Sequence, residues 1–236
     1  MKVDSNIYKA NEVLKVVITE GRFGNDFLNW QIRPFDKYDR QNFIGAGLYG
    51  ICYLNKLIYI GHFLGKRTDP YAGNIVGARW WAHFGTLTLR GHRLSIPETV
   101  LTQLLDHKAP VGSPALNSDL KKVLENSKRP DISIARGCVT SLNRTLFANN
   151  HWTSFCAPEP MSVMDNFTFI YSKVANCLND KSTTEIRAAI RIAERVAIAT
   201  SLPIANNEYQ WTGNQKEINI DDAVILLEQS LTKAII

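Results

Sequence analysis

Glu194 stands where a carboxylate is costly. From Thr183 onward, Ile186, Ala189, Ile190, Ala193 and Ala197 recur at spacings of three and four, the mark of a helix with one apolar stripe. Glu194 lies four residues after Ile190 and four before Ile198, on the edge of that stripe. A carboxylate held there loses part of its hydration and must be paired or bind a metal. Arg187, Arg191 and Arg195 form a ridge alongside and offer an ion pair. A divalent ion is the alternative. Pro203, which stops the helix, and Asn206, twelve residues after the Glu, bear on that choice.

Reactive side chains also concentrate between His62 and Arg93. Lys66, Arg67, Arg79, Arg90 and Arg93 face the single acid Asp69, so this stretch holds four of the chain's five excess positive charges. His62, His83 and His92 lie among them, with Phe63, Tyr71, Trp80, Trp81 and Phe84. Cations mixed with flat rings bind phosphates and stack bases. The same mixture also describes a solvated basic surface over an aromatic core. Cys52, Cys138, Cys156 and Cys177 form no CxxC pair and have no His at zinc-ligand spacing, which points away from a disulfide framework or a structural zinc.

These groups must be positioned by a chain of 236 residues, 45% hydrophobic and 21% charged, a globular composition of one or two domains. The apolar run Val13 to Ile18 is broken by Lys15 and too short for a membrane span or a signal-peptide core, so the expectation is a soluble, cytoplasmic chain. Ile7, Ala10, Leu14, Val17 and Ile18 predict a helix over 6–19, followed by an irregular arm to residue 44. Leu48 to Leu54 and Leu57 to Ile60 read as a hairpin turning at Asn55 and Lys56. A loop is expected over 65–77. Short helices are expected after Arg79, from Pro97 to His107 and over 118–127, and a short strand over 131–135. A strand over 167–174, the helix from Thr183 to Thr200 and a last helix over 221–234, capped by Asp221, complete the series.

Gly47-Leu48-Tyr49 and, on the next strand, Tyr59-Ile60-Gly61 resemble the two signatures of the GIY-YIG nuclease family, the first with Leu for Ile and the second reproduced in full. Arg79 matches the family's arginine after the second strand, although the stretch from Gly61 to Arg79 is long. His83, four residues on, resembles the Arg-x-x-x-His arrangement of the restriction-enzyme branch. Glu194, Pro203 and Asn206 match the terminal pattern of a metal-binding Glu, a Pro and an Asn. The resemblance implies an α/β fold, a small and mainly antiparallel sheet flanked by helices. Within one domain it sets an N-terminal arm at 1–44, a catalytic core at 45–93 and 165–210, an insertion at 94–164 that could hold DNA-recognition elements, and a C-terminal helix at 211–236.

The chemistry so implied is hydrolysis of a phosphodiester in double-stranded DNA, most like that of a type II restriction endonuclease. Glu194 would hold one Mg²⁺, and Arg79 would offer a permanently charged fork to the scissile phosphate. Tyr49 would orient the attacking water and take its proton, directly or through His83. A free phenol titrates near ~10, so that role needs nearby cations. His83 could instead stabilise the leaving group, or be a surface histidine. Tyr59 would bind water or phosphate, or simply pack in its strand. Asn206 would tie the loop beside Glu194, or be a turn residue. Lys66, Arg67, Arg90, His92, Arg93, Lys121, Lys122 and Arg144 are candidates for general DNA contact. An enzyme cutting palindromes would act as a dimer, with Ala223, Leu226, Leu227 and Leu231 of the last helix joining subunits or packing on their own domain. The rivals are a non-catalytic DNA-binding module and a repair or nicking enzyme.

The hairpin adds a geometric demand. With a two-residue turn at Asn55 and Lys56, Tyr49 would oppose His62 and lie on the other sheet face from Tyr59, because side chains alternate. Both phenols can share a site only if a three-residue connection or a β-bulge lies between Tyr53 and Tyr59.

Overall fold

A computed structural model describes residues 3–19, 27–32, 37–90, 94–106, 108–126, 138–156, 160–174, 181–206 and 216–235. The elements in chain order are β1 (Val3–Lys9), α1 (Ala10–Val13), β2 (Leu14–Thr19), β3 (Phe27–Ile32), α2 (Lys37–Asn42), β4 (Gly47–Tyr53) and β5 (Lys56–Phe63). A π-turn (Val76–Trp80) runs into α3 (Trp81–Thr88), followed by β6 (Leu94–Ser95), α4 (Glu98–Leu105), α5 (Ser118–Asn126), β7 (Cys138–Val139) and α6 (Leu142–Asn150). Then come α7 (Trp152–Phe155), α8 (Pro160–Asp165), β8 (Phe167–Val174), α9 (Thr183–Ser201) and α10 (Ile220–Ile235). The strand expected over 131–135 lies outside the described residues.

β4 and β8 are the centre of a four-stranded antiparallel sheet ordered β1-β8-β4-β5. Their sequences, GLYGICY and FTFIYSKV, are nearly continuous apolar runs, as strands covered on both faces must be. One face carries Tyr49, Ile51, Tyr53, Tyr59, Phe167, Phe169 and Tyr171 into a core with Trp80, Phe84 and Leu87. Val100, Leu104, Leu120, Leu124, Leu146 and Phe147, from the stretch 94–164, join that same core. The other face carries Leu48, Cys52, Leu57, Ile60 and Ile170 against the stripes of α9 and α10. Three layers result, helices on either side of an antiparallel sheet. Ala223, Leu227 and Leu231 are fully buried in the second core, so α10 uses that stripe within its own subunit.

The N-terminal segment differs from the helix expected over 6–19. It is two strands joined by one helical turn, with β1 pairing with β8 from Thr168 to Val174 and β2 pairing with β3. Ile7, Val16, Val17 and Ile18 are β-branched, and β8 would otherwise present an unpaired row of backbone groups. Ser5 and Ser172 are registered opposite each other, with hydroxyls 2.8 Å apart. The final helix also starts differently. Asn219, not Asp221, caps it, accepting from the Asp222 backbone N–H at 2.9 Å, while Asp221 occupies the first turn.

The hairpin turns one residue earlier than the sequence reading, at Leu54 and Asn55, whose φ values of 49° and 63° make the tight turn that matches strand twist. Ile51 opposes Tyr59 while Cys52 opposes Leu57, so Ile58 is an extra residue, the bulge between Tyr53 and Tyr59 that the shared-face condition demanded. β5 is an edge strand, and its outer side is covered by later chain. Ala205 N donates to Ile58 O at 2.9 Å, and Leu57 N to Ile218 O at 2.8 Å. Among the described residues no helix is long and apolar enough to cross a membrane.

Trp80 anchors the helical segment that carries Arg79 and His83: it is fully buried and stacked on Phe169 at 4.5 Å. Trp80→Ala is predicted to cost about 3–5 kcal/mol of stability, read as a lowered midpoint in urea denaturation.

Candidate active site

A cavity of about 350 Å³ opens at the β5 edge, where the two sheet faces meet. From the first face it is lined by Tyr49 of β4 and Tyr59 of β5, with Arg79 and His83 one helical turn apart across the π-turn and α3. From the other side it is lined by His62 of β5 and Glu194 of α9, and Arg144 of α6 closes it. Five of the six expected catalytic residues therefore meet in one place. The sixth, Asn206, is buried just outside the lining, and its position is explained by the edge strand. Its Oδ1 accepts from Ile60 N at 2.9 Å and its Nδ2 donates to Ile60 O at 2.8 Å. One side-chain amide thus stands in for a neighbouring strand. The buried Asn143 side chain in turn donates to the Asn206 carbonyl.

The phenol of Tyr49 lies 2.6 Å from His83 Nε2, and the rings of Tyr49, Tyr59 and His83 are packed together with centroids 4.7 to 6.1 Å apart. Gly61, directly opposite Tyr49, makes room for this: a Cβ there would overlap the end of the Tyr49 ring. Burial is the main reason that the Tyr49 phenol is held well above its ordinary pKa; Tyr59 adds to the shift, while Arg79 and Arg144 oppose it. Burial likewise raises Tyr59, against the pull of Arg144. Burial, then Arg144 and Arg79, push His83 well below the usual histidine range. At neutral pH the resting site thus holds two protonated phenols and a neutral imidazole, whose Nδ1 has no protein partner among the described residues.

Glu194 does not pair with the arginine ridge. Its Oε2 is 2.5 Å from His62 Nδ1, while Arg187 reaches across to the Arg67 carbonyl at 3.0 Å, and Arg191 and Arg195 are exposed. The role of His62 escaped the sequence reading. The sign that could have found it is alternation, which sends residue 62 to the α9 face once the register is known. Among the described residues no three His, Cys, Asp or Glu side chains cluster as a metal site. One carboxylate lining a cavity does fit Mg²⁺, which keeps several waters and takes its remaining ligands from phosphate oxygens.

Of the expected DNA contacts, Lys66 and Arg67 are exposed on the loop after β5, tied to α9 through Arg187. Lys121 and Lys122 are on α5, within 4.0 Å of Glu125 and 3.4 Å of Asp119. Arg90 is turned inward, donating to Phe155 O at 2.6 Å. Arg144 faces the cavity instead of open surface. His92 and Arg93 lie outside the described residues. No family model matches the chain, and the searches of curated proteins and of solved structures return no significant match.

Gly61→Ala is expected to displace the Tyr49 phenol and cost about 1–3 kcal/mol by overpacking, measured by urea unfolding. A second expectation concerns acid. A histidine whose folded pKa is depressed contributes stability above its unfolded value, and that contribution is lost progressively as pH falls from about 6.5 through the lower folded value. The melting temperature should therefore fall more steeply below about pH 6.5 in the native chain than in His83→Gln; parallel curves would show that His83 is not held neutral.

Proposed function

We propose that this chain is a Mg²⁺-dependent endonuclease for double-stranded DNA, with GIY-YIG chemistry and of the type II restriction kind. The observation that carries the reading is the convergence of Tyr49, Tyr59, Arg79, His83 and Glu194, from distant parts of the chain, on one cavity. A binding module has no use for a carboxylate drawn to that cavity beside two phenols and two guanidiniums.

Hydrolysis requires a water to lose a proton as it attacks phosphorus, and charge growing on the phosphate oxygens to be compensated. Arg79, exposed at the cavity rim, offers its planar fork to the non-bridging oxygens. Burial raises the Tyr49 pKa and so disfavours a resting phenolate, which supports the relay over direct abstraction. The water proton passes to the Tyr49 oxygen as the Tyr49 proton passes to His83 Nε2, 2.6 Å away, and the neutral imidazole is ready to receive it. Glu194 would hold the Mg²⁺, with His62 fixing the plane of its carboxylate as outer partners of metal ligands do. When bound, the ion supplies Lewis-acid stabilisation of the leaving oxygen.

Incubating supercoiled plasmid with the protein and Mg²⁺ is expected to give discrete fragments. Relaxed circles would mean nicking or repair, and a gel shift without cutting would mean binding alone. Glu194→Ala should shift DNA without cutting it, and Tyr49→Phe should slow cutting by about 10²–10⁴-fold. Full activity in Glu194→Ala would show that the carboxylate is not the metal ligand.

A further inference from the structure

We infer that Arg144 is a second guanidinium for the reacting phosphate, a catalytic residue that the segment 94–164 lends to the site; the inference rests on the nuclease reading of the cavity. Arg144 is the one cation of that segment that lines the cavity among the described residues. Its guanidinium lies over the Tyr59 ring, 4.9 Å from the centroid, and Nη2 donates to the Tyr59 hydroxyl at 3.2 Å. Its remaining bond, from Nη1 to Val139 O, is 3.5 Å long, at the limit of a hydrogen bond. Nε is buried without a partner, and no carboxylate pairs with the residue among the described residues.

A half-buried guanidinium with five donors and so few acceptors is an uncompensated charge, and such a charge requires an anion. The contrast with Arg90 is instructive, since that arginine spends a short bond on an internal carbonyl. The cavity holds Arg79 and Arg144 against Glu194 alone, and a bound divalent ion would take up the carboxylate's charge. What then remains unmatched is two planar forks, at two sides of one cavity. A tetrahedral phosphate diester, with two charged non-bridging oxygens, is the anion whose shape and charge answer them.

Tyr59 acquires a role from this placement. Its ring and hydroxyl hold the Arg144 fork, so it acts as a positioning residue. During the reaction Arg144 forms no covalent bond and moves no proton. The water oxygen bonds to phosphorus as the bond to the leaving oxygen breaks, and the two guanidiniums compensate the charge that gathers on the other oxygens.

The test uses the full chain with Arg144→Gln and Arg144→Lys. Single-turnover cutting is measured at saturating duplex, and the dissociation constant of the same duplex is measured in a Glu194→Ala background. Both variants should lose about 10²–10³-fold in rate at saturating duplex, a loss that exceeds any weakening of the duplex dissociation constant. Weaker binding with a normal rate at saturation would make Arg144 a general DNA contact and overturn the inference. Full activity in Arg144→Lys with its melting temperature unchanged would do so as well, because the fork would then be unnecessary. A second arm needs no cutting: titrating the metal-free protein with inorganic phosphate, followed by calorimetry, should show binding that Arg144→Gln and Arg79→Gln lose and Lys233→Gln, exposed on α10, keeps. If the native chain cuts no DNA, the nuclease reading fails. Phosphate binding insensitive to Arg144→Gln would instead refute this inference alone.

Discussion

Side-chain parity in one hairpin governs the site. Residues of a strand alternate between faces, so a phenol at position 49 and another at 59 share a face only if the pairing between their strands sums correctly. The extra residue at Ile58 achieves this, setting Tyr59 opposite Ile51 and Tyr49 opposite Gly61. Leu57 and Ile60 consequently turn to the α9 face while Ile58 and Tyr59 both turn to the other. The bulge therefore costs one ladder position and gains a pair of adjacent phenols. Gly61 completes the arrangement by leaving empty the volume that the Tyr49 ring fills.

Once the phenols share a face, burial determines their protonation. The same desolvation that raises Tyr49 and Tyr59 lowers His83, because in each case it disfavours the charged form. Arg144 opposes that shift on both phenols and Arg79 opposes it on Tyr49, while both arginines add to it on the histidine. A neutral donor and a neutral acceptor at 2.6 Å are thus the resting pair. Among the described residues neither guanidinium pairs with a carboxylate, and the cavity they line also holds Glu194.

Local pattern explains which parts were legible in the sequence. β4, β5, β8 and α9 are long runs of one period, and in each the period matches the number of faces buried. The capping box of Ser182 and Glu185 marks the start of α9 equally locally. Ile7, Ala10, Leu14, Val17 and Ile18 satisfy a helical spacing over 6–19, while the partner that makes β1 a strand, β8, lies more than 150 residues away and β2 takes its partner from β3. Separation along the chain, 132 residues between His62 and Glu194 and 85 between Tyr59 and Arg144, likewise hid the roles of His62 and Arg144. A histidine after a glycine and an arginine near the start of a short helix carry no motif; each acquires meaning only from the register and packing that bring it to Glu194 or Tyr59.

The remaining question is what keeps the two layers in register, since Glu194 belongs to one sheet face and the phenols to the other. A sheet edge left bare would let α9 slide relative to β5 and separate the carboxylate from the arginines. Here the chain leaving α9 returns at once to that edge: Ala205 and Asn206 bond Ile58 and Ile60, on either side of Tyr59. Asn143, next to Arg144, bonds the Asn206 carbonyl from the opposite layer. One buried asparagine therefore joins the end of the α9 segment, the strand bearing Tyr59 through its side-chain amide, and the helix bearing Arg144 through its backbone carbonyl. Asn206 lies outside the cavity because its work is to fix the distance between groups that line it.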